Sequence, residues 1–298
     1  MPNNPGSKES SKESVMVSKR NQWGDIAGRL VKNQAAVVGF VIVALFVLCA
    51  LFPRWIAPYG YDDQDLAKQF VKPCAEHLFG TDDYGRDIFS RVVYGSRISL
   101  SIGLVSISFS CVVGVLIGCV AGYYGNVLDN TLMRLMDIML AMPSILLAIA
   151  IVSALGAGLR NLVIAIGIST IPQYARIVRA SVLSIKDQEF IEAARCIGAS
   201  DWRILMRHIL PNCMAPIIVQ ATMNIAIAIL SAASLSFIGL GIAPPTPEWG
   251  AMLSAGRAYL RNHWFIVIFP GAAIMLSVFA FNLFGDGLRD ALDPRLKS

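Results

Sequence analysis

The sequence predicts an all-α polytopic membrane protein with six transmembrane helices. Of its 298 residues, 55% are apolar and only 15% are charged, against about 25% charged in an ordinary soluble domain. The mean hydropathy is +0.60. A soluble chain of this length needs more polar cover, which excludes a disordered chain, a disulfide-stapled secreted module and a soluble enzyme. The charges are also missing in the right places. Six stretches free of Asp, Glu, Lys and Arg approach or exceed the roughly 20 residues that cross hydrocarbon.

Residues 1–32 precede the first span. They are expected to form a cytoplasmic disordered tail, because 1–22 is rich in Ser, Lys, Glu, Asn and Pro and has no aromatic residue. The membrane domain then covers 33–298. Its first span, 33–53, is too long and too far into the chain for a cleaved signal peptide, and reads as a retained signal anchor. The second is 98–128, apolar through about Ala121. The third is 138–159. The fourth, 161–175, is short, and Ile177, Val178, Val182 and Leu183 can extend it around Arg176 and Arg179. The fifth is best cut from 208–247 to 216–238, and the sixth is 262–285.

Six spans put both termini on one side. With the N-terminus cytoplasmic, the inner segments hold 16 of the 25 Lys and Arg residues, so both ends read as cytoplasmic. Arg86, Arg91 and Arg97 argue against this from the outer side, beside seven carboxylates between Asp62 and Asp87. Of six cysteines only Cys74 lies outside, and His77, His208 and His263 are far apart, so neither a disulfide framework nor a metal site is expected.

Within the outer connection, 53–97, Thr81 is a candidate cap for a short interfacial helix with the stripe Ile88, Phe89, Val92 and Val93, ended by Gly95. In the second span, Gly114, Gly118 and Gly122 form two overlapping G-x-x-x-G steps for close helix packing, inside the subunit or across a partner. Arg134 and Asp137, three residues apart, can pair on one helix face as an interfacial anchor or serve transport. Ser169, Thr170, Pro172 and Gln173 predict a bent, interior fourth helix. Gln220, Asn224 and Ser231 share a face of the fifth. Gln173, Gln220, Asn224 and Ser231 are therefore candidates to line a translocation path, with interhelical hydrogen bonding as the alternative. Pro244, Pro245 and Pro247 stiffen the last outer loop ahead of Trp249, which is expected to be an interfacial anchor, with a gate or partner contact as the alternative.

The catalytic inventory is empty. There is no G-x-x-x-x-G-K-[ST] loop, no H-E-x-x-H and no G-x-S-x-G. No catalytic, cofactor-binding or metal-ligating residue is expected, and no nucleic-acid partner. Ionisable groups inside the spans are too scarce to favour a self-powered secondary carrier or channel. That class stays as the alternative.

The cytoplasmic segment 186–212, KDQEFIEAARCIGASDWRILMRHILPN, reads as two short amphipathic helices around a hinge. Phe190, Ile191, Ala194 and Ile197 form one stripe, and Trp202, Leu205, Met206 and Ile209 another. Gly198 ends the first helix, Ser200 with Asp201 opens the second, and Pro211 closes it. By periodicity the pair could lie on the membrane, pack on the protein's own helix ends, or dock in a partner's groove.

Glu192-Ala193-Ala194, Gly198 and Ile209-Leu210-Pro211 resemble the EAA loop of permease subunits in binding-protein-dependent ATP-binding-cassette (ABC) importers. HLFGTDDYGRDIFSRVVYGSRISLSIGL (77–104), PPTPEWGAML (244–253) and GDGLRDALDPRLK (285–297) are similar to the C-type subunit of the dipeptide/oligopeptide permease group, which also includes nickel and glutathione permeases. The resemblance runs from about Lys32 to the C-terminus. It implies the type I ABC importer permease fold, inward passage of a short peptide across the inner or plasma membrane, and a heterodimer with a homologous B-type permease. It also implies two cytosolic nucleotide-binding ATPases, which carry the ATP and Mg, and an extracytoplasmic solute-binding protein. Glu192, Ala193, Ala194, Gly198 and Pro211 would then couple to the ATPase, with Trp202, Leu205 and Met206 as anchors.

Overall fold

The structure, a computed structural model, describes residues 22–292. Among the described residues the regular structure is helical, with one isolated antiparallel bridge between Thr81 and Asp87. Five helices are long and apolar enough to cross a membrane, and a bent pair brings the number of crossings to as many as six.

Part of the segment expected to be a disordered tail is helical. α1 (Gln22–Lys32) packs on the end of the last helix, a tertiary contact that composition does not reveal. Residues 1–21 of that tail lie outside the described residues. α2 (Gln34–Leu51) follows directly. The Asn33 side chain accepts from Ala36 N at 3.2 Å, satisfying one of the donors a helix start leaves open. α2 lies against the last helix at Gly39, where a Cβ would sit 2.7 Å from the Ala280 carbonyl oxygen.

After the short α3 (Pro53–Ile56), the outer connection ends ten residues earlier than the sequence suggests. α4 runs unbroken from Ile88 to Tyr124. Its cap is Asp87, whose carboxylate accepts from Ser90 N at 2.8 Å, and not Thr81. Gly95 does not end a helix. It is buried inside α4 because a Cβ there would lie 2.9 Å from the Trp249 ring. Trp249 in turn is fully buried and donates from Nε1 to the Val92 carbonyl at 3.0 Å, so it is a core residue and not an interfacial anchor.

The expected third span is broken. α5 (Asn126–Leu140) and α6 (Ser144–Leu155) meet at 88°, with Pro143 at the corner. Proline disfavours helical geometry in the residue before it. At 1.5 Å per residue, α6 is about 18 Å long, short of the roughly 30 Å of hydrocarbon.

α7 (Leu159–Ile185) is the most covered of the long helices. It packs on α4 through the glycine steps: a Cβ on Gly118 would lie 2.6 Å from the Ala175 carbonyl oxygen, and one on Gly122 2.9 Å from Val182 Cβ, while Gly114 faces Tyr174. The steps thus pack inside this subunit, backbone against backbone. Ser110 of α4 donates to the Gly167 carbonyl at 2.6 Å and lies 2.5 Å from the Thr170 hydroxyl. Ser169 donates to Ile166, so side chains hydrogen-bond to backbone carbonyls in the turn ahead of Pro172.

α10 (Leu210–Phe237), α11 (Trp249–Gly256) and α12 (Phe265–Leu292) complete the bundle. Asn33 Nδ2 lies 3.5 Å from Asp290 Oδ2, and Gly287 abuts Ala36. The start of α2 and the end of α12 therefore share one end of the bundle, as an even number of crossings requires.

Candidate functional site

The segment 186–212 sits beneath α4, α7 and α10. α8 (Glu189–Cys196) carries Glu189 and Glu192 in its first turn, where the helix dipole favours them. It ends in a Schellman turn: Ala199 N–H bonds to the Ala194 carbonyl at 3.0 Å and Gly198 N–H to the Arg195 carbonyl at 2.9 Å. Gly198 has φ +79°, with nothing within 4 Å of a built Cβ. Glycine is favoured there by backbone conformation and not by crowding.

α9 (Asp201–Ile204) then opens a helix that does not stop at Pro211. A π-helical turn, Leu205–Ile209, joins it directly to α10. Leu210 N–H reaches back five residues to the Leu205 carbonyl, and Pro211, in the first turn of α10, has no N–H to place. The wider turn absorbs the proline, which explains why Pro211 continues the element it was expected to close. Ser200 occupies the cap position with extended backbone but makes no side-chain cap bond.

Each amphipathic stripe divides in two. Ile191, Ala194, Ile204, Leu205 and Ile209 are buried against Cys119, Val178, Val182, Cys213 and Ile217. Phe190, Ile197, Trp202 and Met206 are exposed, Ile197 at 85% and Trp202 at 67%. Glu192, Ala193 and Pro211 also face outward. The loop thus packs on the protein's own helix ends through one face and leaves a second apolar face uncovered. Of the three expected anchors, Leu205 belongs to the seat, and Trp202 and Met206 to the open face. Tyr123, which the sequence did not single out, ties the loop down. Its hydroxyl donates to Asp201 Oδ1 at 2.7 Å, and Arg195 lies 5.5 Å from its ring.

A second polar element lies higher in the bundle. Asn224 of α10 is buried and donates to Gln173 Oε1 on α7 at 3.4 Å, while Gln220 donates to Asn224 Oδ1 at 3.0 Å. Three of the four candidate path residues are therefore brought together as an interhelical chain. Ser231 is half-buried and is not part of it. Closer to the 186–212 segment, Arg134 and Asp137 do not pair. Asp137 instead takes Arg176 of α7 at 2.5 Å, and Asp129 takes Arg179 through both oxygens at 2.5 and 2.6 Å. The side chains of α5 meet α7 more readily than they meet each other along one helix.

At the opposite end, Glu248 is 1% exposed and caps α11, accepting from Gly250 N at 2.9 Å and Ala251 N at 2.8 Å. Burial pushes its carboxyl above the usual carboxylate range, against the lowering effect of these bonds.

The family described as "Binding-protein-dependent transport system inner membrane component" matches residues 114–298. This chain belongs to that family. A second family, described as the N-terminal TM domain of oligopeptide transport permease C, matches residues 21–73. The chain is 49% identical over 276 residues to the dipeptide transport system permease protein of Alkalihalophilus pseudofirmus, covering 93% of this chain and 91% of the relative. It is 49% identical over 272 residues to a di/tripeptide transport system permease of Pseudomonas aeruginosa, covering 89% and 90%. It is equally 49% identical, over 281 residues, to a glutathione transport system permease of Escherichia coli, covering 93% and 92%. Inward-facing structures of the MetNI methionine ABC transporter share the fold, with TM-score 0.56 and 20% identity over 68% of this chain and 97% of theirs. The protein is thus an inner-membrane permease component of an ABC importer, non-catalytic in itself, with ATP hydrolysis on partner subunits. A self-powered carrier is not favoured.

Proposed function

We propose that this chain forms one half of the channel of an ATP-driven importer of short peptides, and that the open face of the 186–212 loop is where an ATPase subunit docks. The observation that carries this reading is the division of the loop. A helix pair serving only its own fold would bury both apolar stripes. This one fixes one stripe against α4, α7 and α10 and presents Phe190, Ile197, Trp202 and Met206 outward, which is the arrangement of a helix-in-groove ligand. Because α9 runs through the π-helical turn into α10, a push on the loop reaches α10 without a flexible joint. Asn224 and Gln173, on α10 and α7, are placed to feel that movement, and we assign them with Gln220 to the path.

The remaining architecture follows the same reading. Both termini and the loop are cytoplasmic, in keeping with the excess of Lys and Arg there. The other half-channel is a homologous B-type permease, and an extracytoplasmic binding protein delivers solute to the end of the bundle that carries Glu248. The peptide assignment rests on the dipeptide and di/tripeptide permease relatives. The equal identity to a glutathione permease favours a second reading in which the cargo is that tripeptide.

The test is uptake in proteoliposomes that contain this chain, the partner permease, both ATPases and the binding protein. ATP-dependent accumulation of a labelled dipeptide, lost when the ATPases are omitted, is expected. Accumulation of glutathione alone would favour the second reading. Uptake by this chain by itself under an ion gradient would overturn both.

A further inference from the structure

A cavity of about 560 Å³ lies between the end of α2, α3, the first turns of α4 and the loop ahead of α11. Its cationic lining is Arg54 and Arg97, and its aromatic lining includes Trp55, Tyr61 and Tyr94. Arg54 follows the apolar run of α2 by three residues, and Arg97 stands immediately before the apolar run that starts at Ile98. Two antiparallel spans thus reach the same membrane boundary at the cavity, and both arginines sit at headgroup level.

The other two arginines of the outer connection already have partners. Arg86 pairs with Asp82 at 2.7 Å, and Arg91 donates to the Tyr61 carbonyl at 2.7 Å. Arg54 and Arg97 make no ion pair or side-chain hydrogen bond among the described residues, and both are exposed. Arg91 holds the wall of the cavity in place, and the rings of Tyr61 and Tyr94 pack at 5.4 Å. Trp55, 89% exposed, stands at the rim, where amphipathic rings prefer the interface. α2 is the least covered of the long helices, so the cavity opens beside a lipid-facing surface.

We propose that this cavity binds the phosphate of an anionic phospholipid, with Arg54 and Arg97 as the two cationic contacts and Trp55 against the glycerol and upper acyl region. Guanidinium groups match phosphate oxygens bidentately, and Arg54 and Arg97 line one cavity whose lining holds no carboxylate to neutralise them. The site lies apart from the coupling loop and the α7–α10 polar chain, and does not rest on the peptide reading.

The test uses the whole complex in detergent, exchanged by native mass spectrometry against phosphatidylglycerol, phosphatidylcholine or inorganic phosphate. Retention of phosphatidylglycerol over phosphatidylcholine is expected. It should weaken about 5-fold for R54Q or R97Q and about 30-fold for the double variant, and R54K/R97K should recover most of it. Inorganic phosphate at millimolar concentration should not displace the lipid. An unchanged melting temperature of the double variant excludes misfolding as the cause. Equal retention of the two lipids, equal retention by wild type and R54Q/R97Q, or displacement by inorganic phosphate would each overturn the proposal.

Discussion

Replacing Trp202 by alanine separates docking from folding. The side chain is 67% exposed. A tryptophan side chain buries up to about 250 Å², so an ATPase groove that covered the exposed part would remove about 170 Å² from water. At about 25 cal/mol per Å² that contributes up to about 4 kcal/mol, and an incompletely covered ring contributes about 2 kcal/mol, within the range of interface hot spots. The Kd of the permease pair for its ATPases should rise by roughly 30-fold to several hundred-fold, measured by titrating labelled ATPase onto the complex in nanodiscs. The melting temperature of the permease should barely change, because Trp202 is not part of the buried cluster under the loop. Leu205→Ala is the complement. Leu205 is 7% exposed and belongs to that cluster, so its truncation should cost about 2–5 kcal/mol of fold stability. An affinity within threefold of wild type for Trp202→Ala would refute the reasoning.

Further outcomes follow from other positions. Gly198→Val should cost about 1–2 kcal/mol through its positive φ alone and lower the solute moved per ATP hydrolysed, whereas Gly198→Asn, which accepts left-handed backbone, should keep that ratio near wild type; equal ratios for both variants count against the hinge. Gly118→Leu should prevent accumulation of folded protein, since even a Cβ meets the Ala175 carbonyl oxygen at 2.6 Å, and normal yield in the membrane would contradict the α4–α7 packing. The buried Glu248 has a folded pKa above its unfolded value, so the native state binds the proton more tightly and stability falls as pH rises through the raised value. Thermal melts from pH 4 to 8 should show that decline in wild type and a shallower one in Glu248→Gln; identical slopes would remove Glu248 as the cause.

The membrane class, most of the apolar spans and the two short helices of the 186–212 segment were legible because each rests on local signals: hydropathy, the 3.6-residue period, and a glycine where the chain needs left-handed backbone. What escaped depends on neighbours distant in sequence. Gly95 reads as a stop in isolation, yet it is small because Trp249, 154 residues away, lies against it. Trp249 itself reads as a belt residue until α4 covers it. Arg134 and Asp137 satisfy the spacing for a helix-face pair, but Arg176 and Arg179 approach from α7 and take the carboxylates of α5. The corner at Pro143 lies inside a continuous apolar run, so hydropathy does not mark the 88° bend, and the proline itself is the local signal for it. In the 186–212 segment the period located both stripes but could not say which half of each meets the bundle, because Leu205 and Met206 are both apolar and only packing distinguishes them.

The central claim is that an ATPase subunit grips the open face of the 186–212 loop and moves it. A photo-crosslinking amino acid placed at Trp202 in the reconstituted transporter tests this directly. Illumination should join this chain to an ATPase subunit and stop ATP-driven uptake at once. Adducts to lipid alone, with uptake undiminished, would contradict the account.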